Sequence, residues 1–321
     1  MRVLVTGASG FYGRAVAGAL AARGDEVTTL QRRAVAGPFR CVRGDVTDRA
    51  VVAEAVAGHD AVVHLAARVG VVGTAAAFED VNVGGTSVVV DAAREAGVRR
   101  FVYVSSPSVA HVGRSLVGAP AAPADPEHAR GHYARTKAAG ERLALAADAE
   151  GLAVVAIRPH LVWGPGDQQL IGRVVARARA GRLALIGDGA ALIDTTYVDN
   201  AVDATLAALD RAEDVHGRAF VVTNGEPRPV GDVLAAICAA AGVPAPRRRV
   251  PFRVAWSGGR LVELGWELLG REDDPPMTAF LAEQLATAHW FDQRGTRAAL
   301  GWAPRVSFDE GLARLAASMR G

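Results

Sequence analysis

Lysine is almost missing from this chain: Lys137 stands alone against thirty-five arginines. Cysteine is nearly as scarce. Cys41 and Cys238 are the whole complement, at a spacing that supports neither a metal site nor a disulfide, so each reads as a buried free thiol of a reducing compartment. No apolar run approaches the roughly 20 residues that a helix needs to cross a bilayer. The chain enters Met1-Arg-Val-Leu-Val-Thr-Gly7 with no charged leader or cleavage site, and a cytoplasmic protein without a transmembrane segment is expected. A broad basic surface is lacking too. The net charge of +2 comes from scattered residues, apart from the triplet Arg247-Arg248-Arg249, which reads as a solvated loop, so nucleic acid is not an expected partner.

What is present is a core. Half of the 321 residues are hydrophobic, enough for one large domain or two that share an interior. Over the first 160 residues, short β-branched runs alternate with alanine-rich stretches of helical period. Strands are predicted at 2–6, 26–30, 40–43, 61–65, 101–105 and 154–158, and helices at 11–23, 48–56, 83–96 and 133–150. Gly24, Gly58, Gly97 and Gly151 stand where left-handed caps would close the helices. This pattern predicts an α/β protein, a Rossmann-type doubly wound parallel sheet with a smaller C-terminal α+β substrate domain. Residues 1–165, rejoined by about 195–212, form the predicted nucleotide domain; 166–194 and 213–321 form the second. Further helices are predicted at 198–209 and 308–319, the last capped by Ser307.

The first strand runs into Thr6-Gly-Ala-Ser-Gly-Phe-Tyr-Gly13 and then a helix. Gly7 allows the tight turn, Gly10 lets backbone amides approach a pyrophosphate, and Gly13 lets the helix pack on the strand, with Ser9, Phe11 and Tyr12 completing the cradle. The second strand ends in Thr29-Leu-Gln-Arg-Arg33. Where NAD binding calls for an acid that grips both ribose hydroxyls there is Gln31, followed by Arg32 and Arg33, which can clamp a 2′-phosphate; NADP(H) is therefore favoured over NAD(H). Asp45 and Val46 are placed at the adenine, Leu65, Ala66 and Ala67 along the pyrophosphate and nicotinamide, and Pro159 and Val162 after the sixth strand as further contacts.

The fifth strand ends in Tyr103-Val-Ser-Ser-Pro-Ser108, and a helix brings Tyr133 and Lys137 to the same sheet edge, one turn apart. A serine can steady a substrate oxygen, and Tyr133 can give or take its proton. Lys137 can lower the phenol's pKa and hold the nicotinamide ribose, which a planar guanidinium would do poorly. With the glycine turn, the Ser-Ser-Pro-Ser run and Tyr-x-x-x-Lys in this order, the chain resembles the extended short-chain dehydrogenase/reductases. His64-Leu-Ala-Ala67, Asn82-Val-Gly-Gly-Thr86, Arg158-Pro159 and Tyr197-Val-Asp-Asn200 look like further landmarks of that family. Within it, the 101–109 run is similar to the 3β-hydroxysteroid dehydrogenase branch. Arg158-Pro-His-Leu-Val-Trp-Gly-Pro-Gly-Asp-Gln-Gln169, Phe280-Leu-Ala-Glu-Gln284 and His289-Trp290 resemble the bacterial 2-alkyl-3-oxoalkanoate reductases of olefin biosynthesis.

That resemblance implies an NADPH-dependent reductase of a hydrophobic β-keto acid, with Ser106, Tyr133 and Lys137 catalytic and Ser105 or Ser108 as substitutes for Ser106. It also implies a homodimer and association with enzymes of the same lipid pathway. Asn82 would position the catalytic strands or cap a helix. The alternatives are a 3β-hydroxysteroid or sterol-carboxylate dehydrogenase and a nucleotide-sugar epimerase or dehydratase.

Among the other side chains, no metal site is expected, since His128 and His132 lack a third ligand. His111 and Arg114 are candidates to hold a carboxylate, and His160 is either a core residue or a substrate contact. The stretch 252–269, with apolar residues at helical spacing, reads as a helix packed on the second domain, a cap over an alkyl pocket or a membrane-surface helix.

Overall fold

The computed structural model describes residues 1–70, 73–111, 113–269, 271, 275 and 277–320. Its first half alternates strand and helix: β1 (Arg2–Thr6), α1 (Phe11–Ala22), β2 (Glu26–Gln31), β3 (Arg40–Arg43), α2 (Arg49–Val56), β4 (Ala61–His64), α3 (Ala75–Glu79), α4 (Gly85–Glu95), β5 (Arg100–Val104) and α5 (Gly131–Ala146). With the strands Ala153–Pro159 and Arg218–Val222, β1 to β5 form one parallel seven-stranded sheet in the order 218–222, 153–159, β5, β4, β1, β2, β3.

Period-two alternation divides the core between the two faces of this sheet. Val3, Val5, Val63, Val102, Val155 and Ile157 meet α1 and the helix Val198–Asp210. Leu4, Val62, Phe101, Tyr103 and Val154 meet α2, α4 and α5. Because both faces are covered, the central strands are largely apolar, as in Ala153–Pro159, where every residue is buried and Arg158 is the one charged side chain. Local chemistry sets the helix ends. Asp48 caps α2 by accepting from the amides of Ala50 and Val51, and Gly24 and Gly97 follow α1 and α4 with φ of +92° and +72°. Ser307 accepts from the Glu310 amide at the start of Phe308–Arg320, as its sequence predicts.

A four-stranded sheet, ordered Arg228–Pro229, Leu192–Ile193, His289–Phe291, Leu116–Ala119, builds the second part. Two linear boundaries drawn from the sequence need correction. Arg218–Val222, assigned to the second part, completes the edge of the large sheet beside Ala153–Pro159. Leu116–Ala119, assigned to the first, leaves it to pair with His289–Phe291. In both cases the deciding partner lies far away in the chain.

Two arginines of the triplet are not in a loop: Arg248–Val250 pairs with Ala184–Ile186, and all three arginines are exposed. The helix Phe252–Leu268 buries Ala255 and Gly259 and packs on the helix Ala279–Ala286, while Val254, Leu261, Leu264 and Leu268 are exposed. Cys238 is buried and Cys41 half-buried, both as free thiols. No helix of the described residues is long and apolar enough to cross a membrane.

Candidate active site

Strand order reverses between β1 and β4, which opens a crevice at their carboxyl ends, the place where open α/β sheets bind ligands. The glycine turn lies there. Gly7 has φ of +78°, and a Cβ on it would come within 2.7 Å of the Ala66 amide nitrogen; a Cβ on Gly13 would come within 2.4 Å of the Gly7 carbonyl oxygen. Those two glycines are demanded by the protein's own packing. Gly10 is different: its nearest neighbour would be the Gly7 oxygen at 3.5 Å, so its bare backbone leaves space for a ligand. With the first amides of α1 lacking intrahelical partners, the turn suits a pyrophosphate.

Around this turn the sequence candidates separate. Leu65, Ala66 and Ala67 are half-buried along the crevice, tied to β1 by bonds from the Leu65 amide to the Thr6 carbonyl and from the Ala66 amide to Thr6 Oγ1. Ser9 is exposed and Phe11 half-buried. Tyr12 turns away, its hydroxyl donating to the Ala201 carbonyl and meeting Thr205 Oγ1, so its side chain anchors α1 to Val198–Asp210 and only its backbone faces the turn. Gln31 is buried: Nε2 donates to Thr29 and Cys41, and Oε1 has no partner among the described residues. Arg32 and Arg33 are exposed, Arg32 lying 4.0 Å from Asp45. One oxygen of Asp45 is taken by the amide and hydroxyl of Thr47, while Val46 is buried against Gly85.

Beyond Pro159 the backbone is strained. Leu161, between His160 and Val162, has φ of +46° and is the only non-glycine residue in the left-handed region among those described. Such strain persists where surrounding structure holds it, often at functional sites. No signal in the residue itself could have revealed it.

The catalytic candidates converge on the carboxyl end of β5. Ser106 Oγ lies 2.9 Å from Ser108 Oγ and accepts from the Ser108 amide. Tyr133 is half-buried on the first turn of α5; burial raises its pKa, and the neighbouring Ser106 hydroxyl acts in the opposite sense. Ser106 is the serine whose hydroxyl bears on the phenol's pKa. Ser105 is buried, with its hydroxyl unpaired among the described residues.

Lys137 is 2% exposed, its ammonium donating to the Val104 carbonyl at 2.8 Å and lying 4.0 Å from the Tyr103 ring centroid. Burial lowers its pKa to about 7, with Glu141 acting in the opposite sense. In this arrangement one donor of the ammonium goes to β5, and the Tyr133 pKa follows burial and Ser106.

A second layer fixes α5. The carboxylate of Glu141 receives Arg158 at 2.8 and 2.5 Å, both side chains 1% exposed, and Arg158 also donates to the Ala122 carbonyl. Asn82 caps no helix. It accepts from the Arg68 amide and donates to the Arg68 carbonyl and to Thr136, joining the β4 loop to α5.

Three buried histidines cluster together, and one of them, His111, closes the serine turn. His111 and His289 rings are 4.7 Å apart and His160 and His289 rings 6.1 Å. His160 bonds the Asp194 carbonyl and packs edge-on against Phe291, a core role. His289, noticed in the sequence only through family resemblance, is brought here by strand pairing. Arg114 is exposed, whereas His111 is inside. His128 bonds Asp125 at the surface, and His132 faces Phe78.

A nucleotide crevice with a Ser-Tyr-Lys group at its rim defines the class. The sequence signature of the NAD dependent epimerase/dehydratase family matches residues 3–223. The chain belongs to that family, the extended short-chain dehydrogenase/reductases, and is an NAD(P)-dependent oxidoreductase. It is 42% identical to the 2-alkyl-3-oxoalkanoate reductase of Stenotrophomonas maltophilia, over 99% of both chains. It is 31% identical to a 3-beta-hydroxysteroid dehydrogenase of Mycolicibacterium neoaurum, over 97% of this chain and 89% of the other. Among solved structures, the dTDP-glucose 4,6-dehydratase DesIV of Streptomyces venezuelae, a double mutant with NAD bound, superimposes with a TM-score of 0.76 at 27% identity, over 100% of this chain and 97% of that one.

Proposed function

We propose that the protein reduces the 3-keto group of a hydrophobic 2-alkyl-3-oxo acid with NADPH. The observation that carries this reading is the grouping of Ser106, Tyr133 and the buried Lys137 at the carboxyl end of β5, in a chain 42% identical along its whole length to a reductase of that substrate class. Bound NADPH supplies the hydride. Ser106 steadies the substrate oxygen, Tyr133 delivers its phenolic proton to the nascent alkoxide, and Lys137 holds the nicotinamide ribose. Gly10 and the first amides of α1 hold the pyrophosphate. The 2′-phosphate falls to Arg32 and Arg33, both exposed beside a Gln31 that offers no carboxylate to ribose hydroxyls.

A steroid dehydrogenase is the second reading, favoured by the 31% identity to the mycobacterial enzyme. Cofactor absorbance with a panel of 2-alkyl-3-oxo acids, 3β-hydroxysteroids and UDP-sugars separates them. Stoichiometric NADPH loss with the keto acids is expected. Steroid oxidation with NAD alone, or sugar conversion with no net change in cofactor, overturns the reading.

A further inference from the structure

His111 is the one histidine of the buried trio that the protein leaves unsatisfied. It is 1% exposed, and neither ring nitrogen has a hydrogen-bonding partner among the described residues. Its neighbours are provided for: His160 Nδ1 meets the Asp194 carbonyl, and His289 Nε2 meets Thr287 Oγ1. A buried polar group without a partner is destabilising, and native structures pair nearly all of them. Where an exception stands beside a reaction site, a ligand is a natural partner.

Its position limits what that ligand can be. The His111 amide donates to the Ser108 carbonyl, so residue 111 closes the turn that follows Ser106, with its ring against His289. In a 3-oxo or 3-hydroxy acid the carboxyl carbon is two bonds from the reacting carbon, so whatever holds the carboxylate must lie next to Ser106 and Tyr133. Arg130 stands three residues before Tyr133; its guanidinium reaches Glu283 at 3.4 Å, and Glu283 is also held by the Trp256 indole. The surroundings of His111 therefore contain one cation, one carboxylate with bonds of its own, and two rings of the same kind. Arg114, the other candidate, is exposed.

We propose that His111 donates a hydrogen bond to the substrate carboxylate and so selects 3-oxo and 3-hydroxy acids over neutral ketones and alcohols. The inference rests on the keto-acid reading above and adds to it the residue that recognises the acid. Burial and Arg130 keep the imidazole neutral in the free protein, against the pull of Glu283, so one N–H is available for donation.

The test is best run in the oxidative direction, because 3-hydroxy acids do not lose carbon dioxide as 3-oxo acids do. A 2-alkyl-3-hydroxy acid and its methyl ester are compared with NADP⁺, each turnover converting the secondary alcohol to the ketone with formation of NADPH and a proton. Wild-type protein should prefer the acid in kcat/KM. His111→Leu should lower kcat/KM for the acid roughly 10- to 100-fold while moving the ester less than about twofold, the difference appearing in KM. His111→Gln, which keeps an N–H donor, should recover part of the preference. Equal losses for acid and ester, or no preference in the wild type, overturn the inference and leave the keto-acid reading standing. Failure of the wild type to oxidise either compound overturns that reading and the inference with it.

Discussion

The ammonium of Lys137 is held between two parts of β5: it donates to the Val104 carbonyl at 2.8 Å and faces the Tyr103 ring at 4.0 Å. The seat is enclosed and fits a compact cation. Lys137→Arg would press a larger, planar group into it, at a cost of about 1–3 kcal/mol for overpacking. The variant should fold with a lowered Tm and lose roughly 10²-fold in kcat through misplacement. Wild-type turnover would remove the special role of the amine.

Tyr133→Phe should keep dinucleotide binding, measured by fluorescence titration, and lose about 10²–10⁴-fold in turnover, the usual worth of a positioned proton donor. Full activity in that variant would falsify the assignment of the acid.

Replacing Arg32 and Arg33 together with alanine should weaken NADPH roughly 10- to 100-fold and leave NADH nearly unchanged, because only the former carries a phosphate for a guanidinium to fork. Both side chains are exposed, so folding should be untouched. An equal loss for the two cofactors would remove the clamp.

The Glu141–Arg158 pair predicts an asymmetry between single and double variants. Glu141→Gln leaves a guanidinium buried without its carboxylate, which costs about 3–5 kcal/mol. Changing both, as Glu141→Leu with Arg158→Met, removes the stranded charge and should cost less. Urea unfolding checks this; equal destabilisation of the two proteins would contradict it.

Acid should destabilise the fold. Burial holds His64 at about 3, His160 at about 4 and His289 at about 3, below the ordinary 6.5. Between pH 6.5 and about 4 the unfolded chain therefore binds more protons than the folded one, and stability falls as pH drops, by about 1.4 kcal/mol per unit for each histidine. Asp194 works the other way, since burial raises its carboxyl to about 6, but one such group does not offset three. Unfolding midpoints at pH 7, 6 and 5 should decrease in that order. A flat profile would mean the histidines are reached by solvent.

Much of the fold was legible because its causes are local. Apolar runs such as Val154–Arg158 and the glycine turn at Gly7 depend on neighbours a few residues away, and their strands emerged within a residue or two. The family resemblance rests on the same stretches. Pairings across long separations were not legible: nothing in Leu116–Ala119 announces that it joins His289–Phe291, and this pairing brings His289 to His111. Side-chain direction was hidden as well. Tyr12 sits within the cradle by position yet bonds Ala201, and Lys137 stands one turn from Tyr133 yet turns to Val104. Both outcomes depend on tertiary neighbours that no spacing rule contains.

The solitary lysine has a practical meaning for chemistry on this protein. With thirty-five of its thirty-six strong bases as arginine, the chain offers amine-directed reagents one ε-amino group, and that group is buried beside the proposed reaction centre. The α-amine of Met1 is tied to Asp25. Apart from that α-amine, acylating and reductive-methylating reagents have one target, and their rate at Lys137 should report how often the crevice opens and how fully the cofactor shields it.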